Sequence, residues 1–193
     1  MKKRIKFNGF LIAAAAALVL FFPGIFLRRD DTALSGQAAR IAGALLILAG
    51  QLLRVSARGY KAENSANGRL LVESGPYALV RNPMYLGIFL IGLGLGCALF
   101  QYWAICLFLA IFAVRYVRLI FSEEKKLLVI FGNSFVDYCK KVPRFFPSPK
   151  KLRGKEIRGY LPLKRAWFVK EIGSIIAVLS AAFLAGWWGA IRK

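Results

Sequence analysis

The sequence contains no histidine, only three cysteines among its 193 residues, and nine acidic residues against 29 basic ones. The absence of histidine removes the commonest general base and metal ligand of proteins, which argues against a histidine-dependent hydrolase or metalloenzyme. Cys97, Cys106 and Cys139 form no Cys-x-x-Cys motif, so neither a redox pair nor a zinc site is indicated. We therefore expect no metal centre.

Apolar residues are in excess: they make up 58% of the sequence, more than an ordinary soluble protein contains. Several apolar runs approach the roughly 20 residues that cross a bilayer. The first is longer than the apolar region of a signal peptide, so we interpret it as a retained helix. The sequence predicts an all-α, polytopic membrane protein of about five transmembrane helices in a single domain, residues 1–193. The predicted spans are residues 7–27, 34–53, 85–100, 102–120 and 172–191.

Basic residues are concentrated in segments that five spans would place on one side of the membrane. Four precede the first span, five lie in residues 54–81 and fifteen in residues 115–170, which together are 24 of the 29. This asymmetry is the positive-inside bias, and it predicts a cytoplasmic amino terminus and cytoplasmic basic loops. Anionic lipid headgroups are the expected partners of this basic surface. Membrane orientation explains the charge, so nucleic acid is not an expected partner.

The third predicted span has a well-marked beginning. Asn82 precedes a proline and is biased away from helical dihedral angles, whereas Pro83 suits the first position of a helix. The free backbone N–H groups at such a helix start favour a nearby anion. Four glycines between positions 87 and 96 are expected to let this span pack closely against a neighbouring helix. The fourth helix is predicted to continue to Phe131 and to end at Gly132. Residues 54–80 and 150–170 are predicted to be connections.

Two polar clusters stand on opposite arms of the predicted helical hairpin. The first is Arg81-Asn82-Pro83-Met84-Tyr85, and the second, about forty residues later, is Ser122-Glu123-Glu124. Polar groups at membrane depth are costly and tend to mark functional sites. The two clusters therefore predict a charged ligand at the boundary of cytoplasm and lipid. The alternative is that the glutamates form a solvated helix face and that the tyrosines belong to an interfacial belt.

Together with Gly75-Pro76-Tyr77 and with Tyr138 followed by Val142-Pro143-Arg144-Phe145-Phe146-Pro147, which its prolines predict to be extended, these motifs resemble one family. It is the family of small integral-membrane methyltransferases typified by isoprenylcysteine carboxyl methyltransferase, with phospholipid N-methyltransferases as near relatives. The resemblance covers roughly residues 69–147 and implies the cofactor S-adenosylmethionine in a cytoplasmic pocket. The positions that match the family's cofactor pocket are Leu71, Val72, Tyr77, Asn82, Pro83, Met84, Tyr85, Glu123 and Glu124.

The chain departs from the family pattern at two positions. The family usually has histidine before the proline, and Asn82 can donate and accept hydrogen bonds there but cannot take a proton. An arginine that precedes the glutamates in the isoprenylcysteine enzymes is replaced by Leu119, while Arg118 would face about 100° away on a helix. The first departure removes proton transfer at this position, and the second weakens the case for a prenylated carboxylate as substrate.

The resemblance predicts catalytic roles for Arg81, Glu123 and Glu124. Methyl transfer depends more on in-line positioning than on acid–base groups. Either glutamate is expected to pair with the cofactor's ammonium group or to accept a proton from an amine acceptor. Arg81 is expected to meet the cofactor's carboxylate or an anionic headgroup.

The predicted function is S-adenosylmethionine-dependent methylation of a lipophilic small molecule or lipid, at a carboxylate or an amine. Two alternatives stay open: a nicotinamide-dependent membrane reductase of the sterol-reductase type, and a non-catalytic scaffold that binds anionic lipid.

Overall fold

The computed structural model describes residues 19, 21–27, 34–149, 151 and 157–191, and these are mainly α-helical. Among them the β-type pairing is an isolated antiparallel bridge between Leu27 and Phe100, and there is no strand. The predicted all-α class is confirmed. In chain order the helices are α1 (Pro23–Phe26), α2 (Leu34–Asn64), α3 (Pro76–Leu79), α4 (Pro83–Leu99), α5 (Tyr102–Phe131), α6 (Asn133–Lys141), α7 (Ile157–Tyr160) and α8 (Arg165–Ile191), with a 3₁₀ turn at Ala66–Gly68.

Three helices are long and apolar enough to cross a membrane: α2, α5, and α8 over Arg165–Trp188. Helix α4 is apolar but shorter, with 17 residues. These four correspond to four of the predicted spans. The first predicted span, residues 7–27, lies mostly outside the described residues. An all-α membrane protein is thus confirmed, and the total of five spans stays a prediction.

Helix boundaries follow the sequence signals at some positions and not at others. Helix α4 begins at Pro83 and α5 ends at Phe131, as predicted, because Gly132 adopts a φ of +54° that stops the helix. The first part of the predicted connection, residues 54–64, is helical, since α2 continues to Asn64. The basic residues of this stretch are good helix formers, so positive charge alone does not end a helix. Helix α8 likewise begins seven residues earlier than predicted, at Arg165.

Glycines bring α2 and α4 into backbone contact. A Cβ atom added to Gly43 would stand 2.6 Å from the carbonyl oxygen of Gly94, and one added to Gly50 would stand 2.7 Å from that of Gly87. Such close approach is typical of helix pairs in lipid, where van der Waals packing replaces the hydrophobic effect. The predicted packing role of the α4 glycines is confirmed. This interface fixes the start of α4 beside the end of α2; we call this end of the bundle the polar end.

The α2–α4 interface can be tested at Gly94. Alanine there would meet the carbonyl of Gly43 at 2.6 Å and the side chain of Ile47 at 2.8 Å. Overpacking of this kind costs about 1–3 kcal/mol, so Gly94→Ala should lower the free energy of unfolding by that amount in detergent. The matched control is Gly173→Ala in α8, where an added Cβ meets nothing within 4 Å. An equal loss in both variants would contradict a backbone contact between α2 and α4.

Candidate functional site

The polar end is closed by the chain segment that follows α5. The backbone N–H of Arg81 donates to the carbonyl oxygen of Pro143 at 2.9 Å. Tyr138 is only 3% exposed, and its hydroxyl donates to the carbonyl oxygen of Tyr77 at 2.7 Å. These bonds hold α6 and the extended residues 142–147 against α3 and the start of α4. The site is therefore built from three separate parts of the chain.

Gly75 sets the direction of α3 at this point. Its φ of +58° and ψ of −132° lie where L side chains are strained, and an added Cβ would stand 3.0 Å from the Tyr60 ring. The following proline begins α3, and Tyr77 is buried in the turn. The Gly75-Pro76-Tyr77 motif thus has a structural reason, which is to turn the chain tightly beneath α2.

Glu124 is the centre of a buried polar network. Its side chain is 10% exposed, and its Oε1 atom lies 3.2 Å from Nη1 of Arg81 and 3.3 Å from Nδ2 of Asn82. Its Oε2 atom accepts a hydrogen bond from Nε of Arg144 at 3.0 Å. Both carboxylate oxygens therefore accept from donors at the start of α4 and in residues 142–147, which we call the returning segment. Because Glu124 is buried and paired with two arginines, it is not part of a solvated helix face.

Glu123 stands beside this network but in a different environment. It is exposed, and its Oε1 atom accepts a hydrogen bond from the Tyr85 hydroxyl at 2.6 Å. The Tyr85 ring packs at 5.5 Å from the ring of Tyr116, which keeps the hydroxyl directed along α5. Glu123 therefore offers an accessible carboxylate whose position is fixed by one neighbour.

The guanidinium of Arg81 links the two polar clusters and has donor capacity left. Its Nη1 atom contacts Glu124 and also lies 2.8 Å from Sγ of Cys139. Its Nε atom is buried and has no hydrogen-bond partner within the described part of the chain. A buried, unpaired donor on a charged group is costly, so this atom points to an additional acceptor at the site.

The phenols at the polar end are protonated donors. Burial raises the pKa of Tyr77 well above its usual range, and the nearby Glu123 carboxylate adds to that effect. Burial also raises the pKa of Tyr138, with a further contribution from Tyr77. Neither phenol is a candidate proton acceptor at neutral pH.

The predicted cofactor residues fall into two groups. Arg81, Asn82, Tyr85, Glu123 and Glu124 meet in one polar cluster, as the preceding contacts show. The others are apolar and support the cluster: Val72 and Tyr77 are buried with Ala57 and in contact with Met84, Leu71 packs on the neighbouring Phe135–Tyr138–Val142 cluster, and Pro83 is fully buried.

Sequence reasoning missed Arg144 and Tyr138 as members of the site. Both were noticed only as parts of motifs, and residues 142–147 were interpreted as an extended stretch. The signal that could have identified Arg144 is hydrogen-bond satisfaction, since a buried pair of Arg81 and Glu124 leaves one carboxylate oxygen in need of a donor. Tyr138 carries no such signal, because its partner is a backbone carbonyl.

The chain is similar to a known family over much of this region. The model of the phospholipid methyltransferase family matches residues 38–134, just over half of the 193 residues. The match contains Arg81 to Tyr85 and both glutamates, and it ends before Tyr138 and Arg144. It begins well before the predicted 69–147, within α2.

Curated relatives match shorter segments. The protein-S-isoprenylcysteine O-methyltransferase of Schizosaccharomyces pombe is 38% identical over 78 residues, which are 40% of this chain and 33% of that protein. A cobalt-zinc-cadmium resistance protein of Cupriavidus metallidurans is 40% identical over 86 residues, 44% of this chain and 39% of that protein. The delta(14)-sterol reductase of Mus musculus is 33% identical over 93 residues, 46% and 21% respectively. The chain thus spans about a fifth to two fifths of these relatives. No solved structure gives a significant match.

Proposed function

Because the chain belongs to the phospholipid methyltransferase family, we propose that it is a membrane methyltransferase that uses S-adenosylmethionine and acts on a lipophilic acceptor. The observation that carries the proposal is the meeting of two distant polar clusters. Asn82 and Tyr85 at the start of α4 contact Glu124 and Glu123 on α5, although the paired residues are 42 and 38 positions apart. Both clusters lie where the apolar part of the hairpin ends, which suits a charged cofactor beside lipid.

The donor set fits the polar groups of S-adenosylmethionine. Among the described residues, the exposed Glu123 carboxylate has one oxygen left for an ammonium group, and the unpaired Nε of Arg81 can donate to a carboxylate. The ring of Tyr85 beside Glu123 offers an aromatic face to a sulfonium cation. When bound, S-adenosylmethionine supplies an electrophilic methyl group.

The two glutamates have different roles in this proposal. Glu124 already accepts from Arg81, Asn82 and Arg144, so it acts as a positioning residue that fixes the site. Glu123 is the accessible carboxylate and is therefore the one that contacts the cofactor or takes a proton from an amine acceptor. Asn82 donates through Nδ2 to Glu124 and to the carbonyl oxygen of Arg144, a purely structural use of the position where the family has histidine.

Aromatic side chains beside Tyr85 support a lipophilic acceptor. Tyr116 stacks on Phe112 at 4.3 Å, and Phe89 lies 5.0 Å from Phe112 and 5.6 Å from Phe145. These rings pack together between the hairpin and residues 142–147. An acyl or prenyl chain there would reach the polar cluster from the bilayer without leaving an apolar environment. The basic residues at this end favour a cytoplasmic position for it under the positive-inside rule.

A second candidate function is a nicotinamide-dependent reduction. It is favoured by the 33% identity to the mouse delta(14)-sterol reductase over 93 residues. Reduced nicotinamide dinucleotide carries a pyrophosphate, which would use the Arg81 and Arg144 guanidinium groups. The family model that matches residues 38–134 is that of phospholipid methyltransferases, so the methyltransferase is the better supported of the two.

Ligand-dependent stability separates the two candidates. A ligand that binds only the folded protein raises the free energy of unfolding by about 2.7 kcal/mol at a hundred times its Kd. We expect purified protein in detergent to be stabilised in this way by S-adenosylmethionine and by its demethylated product. Stabilisation by reduced nicotinamide dinucleotide instead, or by neither at millimolar concentration, would contradict the proposal. Incubating membranes with methyl-labelled S-adenosylmethionine then identifies the acceptor from the labelled lipid.

A further inference from the structure

A second polar cluster lies between α2 and α8, away from the Glu124 network. Nη1 of Arg58 is 2.7 Å from Oε1 of Glu171, and Nη2 of Arg54 is 3.8 Å from Oε2 of the same carboxylate. Glu171 is 6% exposed, so it is a buried charge. Arg58 neutralises it at short range. The more distant guanidinium of Arg54 leaves the cluster with one positive charge in excess.

The contacts of α2 with α8 run in opposite directions along the two helices. Glu63 bonds Lys164 at the polar end, Gly59 packs against the ring of Trp167, and Arg54 approaches Glu171 further in. Continued by one more turn, this antiparallel register places Gln51 level with Ser174. Both positions lie deeper in the apolar part of the bundle than the arginines do.

The deeper positions carry buried polar atoms that lack partners. Both amide atoms of Gln51, the Oγ atom of Ser174 and the Oε2 atom of the nearby Glu171 are buried and make no hydrogen bond to any described residue. Gln51 is only 8% exposed. Unpaired buried polar groups are costly, and more so in a helix that crosses a membrane, where water is scarce. A set of them on two facing helices, beside an excess positive charge, indicates a ligand.

We infer that this cluster binds the anionic headgroup of a membrane phospholipid, which enters sideways between α2 and α8. Phosphate oxygens accept hydrogen bonds from the guanidinium of Arg54, the amide nitrogen of Gln51 and the hydroxyl of Ser174. The two hydroxyls of a glycerol-type headgroup donate to the amide oxygen of Gln51 and to Oε2 of Glu171, so this headgroup offers a partner to each unpaired atom of the cluster.

The surroundings of α8 favour a lipid over a free anion. Ile172, Ile176 and Leu179, on either side of Ser174, are 55%, 55% and 58% exposed, so the outer surface of α8 faces lipid at this depth. An anion that reaches Gln51 from this side must be carried by an acyl chain. The site does not depend on the methyl transfer proposed above, and its tests measure lipid binding alone.

Binding is tested on the purified full chain in neutral detergent, with phosphatidylglycerol as the probe and phosphatidylcholine and inorganic phosphate as comparisons. Phosphatidylglycerol should bind tightest and inorganic phosphate least. Arg54→Gln should weaken phosphatidylglycerol binding about tenfold or more, because a charge-assisted hydrogen bond is lost. Arg69→Gln is the matched control, since Arg69 is exposed outside the cluster and its change deletes the same charge.

Two further variants have effects of opposite sign. Gln51→Leu should raise the thermal stability of the lipid-free protein, because it removes the unpaired amide, and should abolish the preference for phosphatidylglycerol over phosphatidylcholine. Glu171→Gln should tighten phosphatidylglycerol binding several-fold, because it removes the competing carboxylate from both arginines. A merely structural cluster would change stability in these variants and leave lipid binding as it was. That result, equal weakening by Arg69→Gln, or equal binding of inorganic phosphate would each overturn the lipid site.

Discussion

Replacing Glu124 with glutamine is expected to lower the free energy of unfolding by about 3 kcal/mol, because it leaves the buried charge of Arg81 without its counterion. The side chains of Arg81 and Glu124 are 12% and 10% exposed, so solvent cannot take over the role of the carboxylate. The loss of the Glu124 charge removes less stabilisation at Arg144, because the Arg144 side chain is 43% exposed and water screens its charge. Chemical unfolding of the variant in detergent, read by helical circular dichroism, measures the loss.

A double variant separates lost charge pairing from general disruption. Glu124→Gln combined with Arg81→Gln removes the guanidinium that would be left unpaired. The double variant should therefore lose clearly less free energy of unfolding than the two single variants lose in sum. Strict additivity, or a Glu124→Gln protein as stable as the parent, would contradict the buried network.

The same substitution at the adjacent residue should act on ligand binding instead. Glu123 is exposed, so Glu123→Gln is expected to change stability by less than about 1 kcal/mol. Loss of one charge-assisted hydrogen bond to an ammonium group should nevertheless weaken S-adenosylmethionine binding about tenfold to a hundredfold. Calorimetric titration of the two proteins with the ligand measures this difference. Tyr85→Phe should have a smaller effect, since it removes only the hydroxyl that orients Glu123.

Asp137→Asn is the control for charge in this comparison. Asp137 is exposed and pairs with Lys140 inside α6, away from the polar cluster. The change deletes one negative charge and should leave ligand affinity as it was. If it weakens binding as much as Glu123→Gln does, the effect is one of overall charge, and Glu123 is not a ligand contact.

Local sequence signals predicted what they physically control. Proline at position 83 and glycine at position 132 act through their own backbone dihedral angles, and both boundaries are where the sequence placed them. The pairing of the two polar clusters was also predictable, because only two residues, Phe100 and Gln101, separate the helices that carry them. Two helices joined so tightly must lie side by side.

Contacts that depend on the returning chain could not be predicted in this way. Arg144 reaches Glu124 only because residues 142–147 fold back on α3, and no periodicity in a six-residue extended stretch encodes that path. The same holds for Trp167 and Glu171. Trp167 was assigned to the predicted connection of residues 150–170, and Glu171 lay just before the last predicted span, whereas α8 begins at Arg165 and lays both against α2. A basic connection and the basic end of a helix have similar compositions, and only the contacts with a second helix, here α2, distinguish them.

The polar end is closed by hydrogen bonds between residues that are 61 and 62 positions apart in the chain. This separation has a consequence for how the protein is made. Helices α2, α4 and α5 precede residues 133–147, which close the polar end, so the ribosome delivers these three apolar helices before the closing segment. The loop from Tyr77 to Tyr138 must then be closed at an entropic cost that grows with its length. Insertion of α2, α4 and α5 into the membrane and assembly of the site are therefore separate events. A nascent chain released after Phe131 carries the hairpin, both glutamates and Asn82. It lacks Tyr138 and Arg144, which close the site.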